Sequence, residues 1–367
     1  MRQVRRSLLS SGNITINSIN IYMDNQFIIT YVVPCYNIEK QLPRCIESLE
    51  RQYVEDRSVE FILVNDGSTD GTLKIINQFA KRDPRVVVID QENQGVCAAR
   101  NNALKVARGE YVFFLDGDDY LTDDASQKMY EACRDDKPDV VLFNNLKVYE
   151  GKPESAKIWI DYSKFIDAGT YSTCDFIKKT KRIPISFKLY KLQLLKIHQI
   201  TFDEHLRVGE VYSFFIHCLT LAKTVGVSYA PVMYYLKRKG ESATTSINVE
   251  RDLSVIDTLH TINQYVDRNS PELKGKRAFQ SPLFFLITSF YLIKYVGRTN
   301  YSTELGKLMR IVKKDKEYKQ LLNNLTGSGF TYDRYTLIAF VIKFLPAKYA
   351  YKILRYYYKY ATRNREE

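Results

Sequence analysis

The stretch Tyr111-Val-Phe-Phe-Leu-Asp-Gly-Asp-Asp119 joins a run of apolar residues to a cluster of carboxylates. Three similar apolar runs precede it, at residues 27–33, 59–64 and 86–89, and each is followed by polar residues. The runs recur at intervals of about 25 to 30 residues, which is the spacing of βαβ units. The pattern therefore predicts four buried parallel strands.

The segments between these strands have helical periodicity, at residues 38–51, 72–81 and 96–107. The last of them is followed by Arg108-Gly109, a typical helix end. Further along the chain, residues 187–197 and 211–222 have an apolar spacing that favours helices packed beside the sheet. We predict an α/β fold, Rossmann-like, with a mostly parallel sheet flanked by helices over residues 27–246.

Ligands of such sheets bind beyond the carboxyl ends of the strands, so the residues after each strand are the first candidates for a site. These segments are polar, and three contain acidic residues: Pro34-Cys-Tyr-Asn37, Asn65-Asp-Gly-Ser-Thr-Asp-Gly71, Asp90-Gln-Glu-Asn-Gln-Gly95 and Asp116-Gly-Asp-Asp119. Carboxylates at a strand end can share a hard cation with a diphosphate. An acidic turn and ordinary helix capping are the structural alternatives.

Composition limits the partners and the metal ligands. The chain has 367 residues and a formal net charge of +12, which favours polyanionic partners without choosing among nucleic acid, anionic lipid and phosphorylated small molecules. The 6 cysteines and 4 histidines lack the spacing of a zinc site. A metal ion must therefore be held by carboxylates.

Four motifs in order resemble those of family 2 glycosyltransferases with the GT-A fold: Val32-Val-Pro-Cys-Tyr-Asn37, Val64-Asn-Asp-Gly-Ser-Thr-Asp70, Asn93-Gln-Gly-Val-Cys-Ala-Ala-Arg-Asn101 and Phe114-Leu-Asp-Gly-Asp-Asp119. The resemblance implies transfer of a sugar, with inversion, from a nucleotide-diphosphate donor such as a UDP-sugar. The implied acceptor is a hydroxyl of a glycan or of a lipid-linked molecule in bacterial cell-surface polysaccharide synthesis, as for capsule or lipopolysaccharide.

The same resemblance implies roles for individual residues. The expected nucleotide-sugar ligands are Pro34, Tyr36, Asp66, Arg100, Asp116 and Arg238. Among these, Asp66 would accept from the base and Asp116 would hold the ribose. Asp118 would coordinate Mn²⁺ or Mg²⁺. The structural alternatives are a solvated helix arginine at Arg100 and a flexible turn with incidental charge at Arg238.

The catalytic base is the point at which this chain departs from the family pattern. Lys188 and residues 202–210 resemble the acceptor side of the family, where a Glu-Asp pair normally supplies the base. This chain has Glu210-Val211, and valine cannot accept a proton. We predict Glu210 as the base; a shifted register or a catalytically inactive relative are the alternatives. A haloacid-dehalogenase-like phosphatase is less favoured, because Asp116 follows the fourth strand and Tyr120 replaces the expected Thr or Val.

The two ends of the chain receive separate predictions. Residues 1–26 are a polar lead-in, and residues 247–367 are predicted to form a helical module. Residues 281–298 are apolar but interrupted by Lys294, so a buried helix is favoured over a membrane span. The basic, tyrosine-rich end suits the surface of an anionic membrane, or a helix packed on the catalytic domain; nucleic acid is unlikely. We expect a cytoplasmic protein, peripheral at the inner face of the cell membrane.

Overall fold

A computed structural model describes residues 27–55, 57–181, 183, 188–238, 248–274, 276, 279, 302–327, 334–346 and 349–356. The predictions for residues 1–26 and 281–298, for the turn at residues 239–247 and for the end of the chain after residue 356 lie outside the described residues.

One sheet organises the described part of the chain. Its strands are β1 Phe27–Cys35, β2 Ser58–Asp66, β3 Val86–Gln91, β4 Gly109–Phe114, β5 Tyr120–Leu121, β6 Val140–Tyr149, β7 Lys152–Ile160, β8 Gly169–Ser172, β9 Lys188–Lys191 and β10 Thr224–Lys237. The spatial order is β3-β2-β1-β4-β9-β6-β10-β5, with β7 beside β6 and β8 beside β10. The first four strands are parallel to each other, and the second half of the sheet is mixed.

The helices pack on both sides of this sheet and beyond it. They are α1 Leu42–Glu50, α2 Thr72–Arg82, α3 Val96–Val106, α4 Ala125–Cys133, α5 Thr173–Lys179, α6 Leu192–Ile197, α7 Glu210–Leu221, α8 Val249–Leu253, α9 Val255–Asn269, α10 Ser302–Lys314, α11 Lys316–Gly327 and α12 Arg334–Phe344. Successive strand residues face opposite sides, so two apolar cores form. Val32 and Ile62 belong to one core, and Tyr31 and Phe61 belong to the other.

The predicted α/β class with its parallel first half is confirmed. The helix predicted over residues 38–51 begins only at Leu42, because Asn37 has a left-handed backbone (φ 50°) and Pro43 occupies the first turn, where its missing N–H costs nothing. The helix predicted for residues 187–197 is wrong in its first half. Lys188–Lys191 forms β9, which pairs antiparallel with both β4 and β6 and fills the position between them.

The helices after residue 248 continue the core of the sheet rather than forming a separate one. Val255, Leu259 and Ile262 of α9 are fully buried in the same apolar cluster as Phe214 and Phe215 of α7. Within the described residues, no helix is both long enough and apolar enough to cross a membrane.

Candidate active site

The loops after β1, β2 and β3 are bound to one another. The Asn37 side chain accepts a hydrogen bond from the amide of Thr69 at 2.8 Å, and the Asn37 amide donates to Ser68 Oγ at 3.1 Å. Gly67 has φ +70°, and a Cβ at this position would lie 2.6 Å from the amide nitrogen of Asn93. Only glycine allows this turn and this close approach. The three strand ends therefore form one wall of the crevice.

Asp66 organises the loop after β3. It is 3% exposed, and its carboxylate accepts from Gln91 Nε2 at 2.8 Å and from the amides of Gln94 and Gly95 at 2.9 Å each. A nucleobase bound to Asp66 would share this carboxylate with the loop. The structure thus gives Asp66 a loop-ordering role that the sequence did not reveal.

Pro34 and Tyr36 lie at the end of β1, beside the loop that follows β4. Residues 116–119 of this loop carry three carboxylates and are called the acidic loop. Tyr36 is 50% exposed in the loop that follows β1. The acidic loop approaches this segment closely, since a Cβ on Gly117 would lie 3.2 Å from the carbonyl oxygen of Pro34 and 2.5 Å from Ile38 Cδ1. Glycine at this position allows the carboxylates on either side to reach the crevice.

The three carboxylates of the acidic loop have different surroundings. Asp118 forms an ion pair with Arg238, and both side chains are about one-third exposed. Burial raises the pKa of Asp118, and the neighbouring Asp116 raises it further. Asp119 is 2% exposed and accepts the amide of Leu236 at 2.9 Å; burial, Asp116 and Asp118 hold its pKa well above the usual range. This crowding shows a local excess of negative charge.

Arg100 is the buried link in the site. Its side chain is 4% exposed, with Nη2 2.8 Å from Asp116 Oδ1 and Nη1 3.4 Å from Glu210 Oε1. The guanidinium also lies 5.1 Å from the centre of the Phe202 ring. Burial alone lowers the pKa of Arg100, but the two carboxylates outweigh it and the net shift is upward. The alternative of a solvated arginine is therefore wrong.

Glu210 is the first residue of α7 and follows Gly209, which has φ +80°. Its carboxylate borders a cavity of about 680 Å³, lined by residues 93–97, Glu204, residues 206–210 and Arg251. Val211, at the position of the usual base, is partly buried and packs against the apolar core. Glu210 thus lies both at this cavity and beside Arg100.

Lys188 does not line the described crevice surface. It is 3% exposed in β9, with Nζ 3.9 Å from the centre of the Phe215 ring, and burial lowers its pKa to about 7.

Asn101 holds a loop of the site and was not among the site residues predicted from the sequence. Its carboxamide donates to the Phe202 carbonyl and to Glu204 at 2.9 Å each, which fixes the loop before Glu210. The feature of the sequence that could have indicated Asn101 is its position one residue after Arg100.

The carboxylates of the acidic loop are the type of ligand that a hard divalent cation binds. No group of three or more His, Cys, Asp or Glu side chains in the described part of the chain already converges as a metal centre. Asp118 and Asp116 nevertheless supply carboxylate oxygens, which Mg²⁺ and Mn²⁺ prefer. The raised pKa of Asp118 beside Asp116 shows negative charge that a cation would offset.

The sheet order, the flanking helices and the acidic loop after β4 define the GT-A glycosyltransferase fold, and solved structures agree. The described fold matches the crystal structure of Staphylococcus aureus TarS 1-349 in complex with UDP-GlcNAc, with a TM-score of 0.63, 20% identity, and coverage of 91% of this chain and 92% of that one. At this level of identity the likeness concerns the fold alone.

Sequence comparison gives the family. Residues 30–196 match the model described as glycosyl transferase family 2, so this segment of the chain is a domain of that family. It is 34% identical over 216 residues to the poly(ribitol-phosphate) beta-glucosyltransferase of Bacillus spizizenii, covering 58% of this chain and 33% of that protein. It is 30% identical over 222 residues to the uncharacterized glycosyltransferase EpsJ of Bacillus subtilis, covering 60% and 63%. The chain thus spans between one-third and two-thirds of these relatives' lengths.

Proposed function

We propose that this protein transfers a sugar, with inversion, from a UDP-sugar to a hydroxyl of a glycan or lipid-linked acceptor in bacterial cell-surface polysaccharide synthesis. The observation that carries the proposal is the chain of contacts Asp116–Arg100–Glu210, which joins the acidic loop to a carboxylate beside a cavity of about 680 Å³. Donor and acceptor chemistry would thus be performed in one crevice.

The donor is assigned to the wall formed by the first three strand ends. Tyr36 and Pro34 offer apolar surface to the base, Asp66 offers a carboxylate, and Asp116 offers one to the ribose. Arg238, at the end of β10, is the cation placed to approach the diphosphate once it releases Asp118. The TarS structure with UDP-GlcNAc supports a uridine nucleotide by fold analogy.

Glu210 is the proposed base. The acceptor hydroxyl must lose its proton as it attacks the anomeric carbon, and a carboxylate within hydrogen-bond reach can take that proton. Arg100 holds Glu210 by an ion pair, and Asn101 fixes the preceding loop. Inversion follows from a single displacement, in which no enzyme nucleophile is needed.

Asp118 would hold Mn²⁺ or Mg²⁺ together with the donor. The cation, when bound, offsets the negative charge that develops on the departing diphosphate. The residues of this chain contribute the oxygen ligands and, through Arg238, a second positive charge at the same place.

The C-terminal helices offer a surface for an anionic membrane, where the enzyme would meet a lipid-linked acceptor from the cytoplasmic side. Leu337, Phe340 and Phe344 of α12 are 57%, 41% and 55% exposed, and their spacing places them along one side of the helix. Tyr349 and Tyr356 are also more than half exposed. Exposed apolar and aromatic side chains next to a basic segment are typical of helices that lie at a bilayer surface.

The experiment is nucleotide release from UDP-, GDP- and dTDP-sugars with Mn²⁺ or EDTA, for the parent, Asp118→Asn and Glu210→Gln. Metal-dependent release from one donor, reduced in both variants, supports the proposal. Glu204→Gln is the matched control, because Glu204 lines the same cavity and bonds to Asn101 instead of Arg100. Donor binding without turnover in the parent would instead identify a catalytically inactive relative, and hydrolysis of simple phosphoesters would identify a phosphatase.

A further inference from the structure

The single tryptophan of the chain, Trp159, lies on the hairpin formed by β6 and β7. The proposed function as stated above assigns no role to this hairpin. Trp159, in β7, is 47% exposed, and its indole stacks on the ring of Tyr235 in β10, with ring centres 4.7 Å apart and 21° between the planes. The stack fixes the orientation of the indole before any ligand arrives. A preoriented aromatic face binds a flat apolar surface with less loss of side-chain freedom.

An irregularity in the strand pairing places Trp159 where it is. Asn145 pairs with Ile160 and the next residue, Leu146, pairs with Ile158, so Trp159 has no partner of its own on β6. An extra residue of this kind is a β-bulge, which redirects side chains and is common beside active sites. The hairpin thus departs from regular pairing at the residue that carries the exposed indole.

The aromatic stack adjoins the acidic loop. Tyr235 immediately precedes Leu236, whose amide donates to Asp119 at 2.9 Å. Tyr234, the residue before Tyr235, pairs with Tyr120, which directly follows Asp119, and the rings of Tyr120 and Tyr234 stack with their centres 4.7 Å apart. A molecule on Trp159 would therefore lie near the reaction centre.

The surroundings of the stack combine aromatic faces with an amino group. Tyr149, at the end of β6, is 47% exposed, and Lys147 Nζ lies 4.9 Å from the centre of its ring. Lys147 also pairs in register with Tyr235. A pyranose ring has an apolar face of C–H groups and a rim of hydroxyls; aromatic faces suit the first and an ammonium group suits the second.

We propose that Trp159, Tyr235 and Tyr149 form a binding platform for one pyranose ring of the acceptor glycan. The proposal rests on the proposed glycosyl transfer and names the class of its acceptor. A glycan is the occupant favoured here, because the surface combines an exposed indole held in one orientation with a neighbouring aromatic ring and an amino group.

Because Trp159 is the only tryptophan of the chain, tryptophan fluorescence reports on this residue alone. The full chain is titrated with cellotetraose, chitotetraose and a chondroitin tetrasaccharide, and separately with UDP plus Mn²⁺ and with phosphatidylglycerol vesicles. A saturable change in emission with a saccharide is expected. No change with any of the three saccharides overturns the platform, and so does a change produced only by UDP or only by vesicles.

Variants separate the platform from the transferase site. Trp159→Ala is expected to lower kcat/KM for the acceptor about tenfold or more, Trp159→Phe to retain most of it, and neither to alter nucleotide release to water. Tyr53→Ala is the control, since Tyr53 is 66% exposed and lies in the connection between α1 and β2, outside the hairpin that carries Trp159. Equal loss of transfer and of release to water overturns the platform. A parent chain that releases no nucleotide defeats the transferase proposal, while the fluorescence titration still decides whether saccharides bind Trp159.

Discussion

Arg100 Nη1 lies 3.4 Å from Glu210 Oε1, and Nη2 of the same guanidinium lies 2.8 Å from Asp116 Oδ1. The proposed base and the proposed ribose ligand are therefore held by one buried cation that belongs to α3, a helix distant in sequence from Glu210. Such a bridge positions both carboxylates and supplies positive charge to each of them.

The first prediction concerns this bridge. In Arg100→Met, kcat should fall by about 10- to 100-fold, because Glu210 and Asp116 lose the cation that holds both of them in place. Arg100→Lys should recover only part of this loss, since an ammonium group cannot bridge both carboxylates as a planar guanidinium does. A nucleotide-release assay measures kcat, and Lys105→Met, an exposed change on the same helix, is the control. A kcat of Arg100→Met equal to that of the parent would contradict the role assigned to the bridge.

The second prediction concerns the Arg238–Asp118 ion pair, which has opposite effects on cation binding and on turnover. Arg238→Met should bind Mn²⁺ in the absence of nucleotide at least as tightly as the parent, because the competing guanidinium is gone. Its rate of nucleotide release should nevertheless fall by about 10-fold or more, since the leaving diphosphate no longer has the Arg238 guanidinium to offset its negative charge. Mn²⁺ titration by calorimetry and a release assay measure the two effects. Asp118→Asn is the comparison, with both quantities reduced; weaker Mn²⁺ binding by Arg238→Met would contradict the assignment.

The third prediction separates structure from chemistry at Asp119. The carboxylate accepts the Leu236 amide and is 2% exposed, beside two further carboxylates. Asp119→Asn keeps an acceptor oxygen and removes a crowded charge, so its free energy of unfolding should equal or exceed that of the parent. Asp119→Ala leaves the buried Leu236 amide without its partner and should cost about 1–3 kcal/mol. Urea denaturation of both variants tests this, and equal destabilisation by Asn and Ala would refute it.

The fourth prediction concerns Lys188, whose pKa burial lowers to about 7. The unfolded chain keeps a proton on this lysine up to pH about 10.5, whereas the folded chain keeps it only below about 7. Between these values the unfolded state binds more protons, so this group makes stability rise with pH by at most about 1.4 kcal/mol per unit. Below pH 7 the lysine is protonated in both the folded and the unfolded chain, so its destabilising effect on the folded state is largest there and no longer changes with pH.

Lys188→Met should therefore be more stable than the parent at pH 7, with an advantage that declines towards pH 10. Urea denaturation at both pH values measures the difference. Lys191→Met is the matched control on the same strand, since Lys191 Nζ makes an exposed bond to the Lys137 carbonyl and should show no comparable trend. A variant less stable than the parent at pH 7 would contradict the prediction.

Local sequence was sufficient for the first half of the molecule, and the reason is periodicity. Each apolar run up to Leu115 is a parallel strand, and each polar segment after it falls at the carboxyl edge, as βαβ connections require. Strands β1, β2 and β4 are buried as predicted, whereas β3 is only half-buried because it lies at the edge of the sheet. The acidic loop after β4 was therefore placed correctly beside the loops after β1 and β2. Residues 188–191 were misassigned, since four residues of mixed polarity become a strand only through pairing with β4 and β6.

The sequence by itself determined the fold class and the edge of the sheet that carries the polar residues, because both depend on a pattern that repeats about every 25 to 30 residues. Only the tertiary structure decided which distant residues meet: Arg100 with Glu210, Asp118 with Arg238, Asp119 with the Leu236 amide, and Trp159 with Tyr235. These pairs are separated by tens of residues to more than one hundred. Their contact follows from how β6, β7, β10 and α7 pack, which no local pattern encodes.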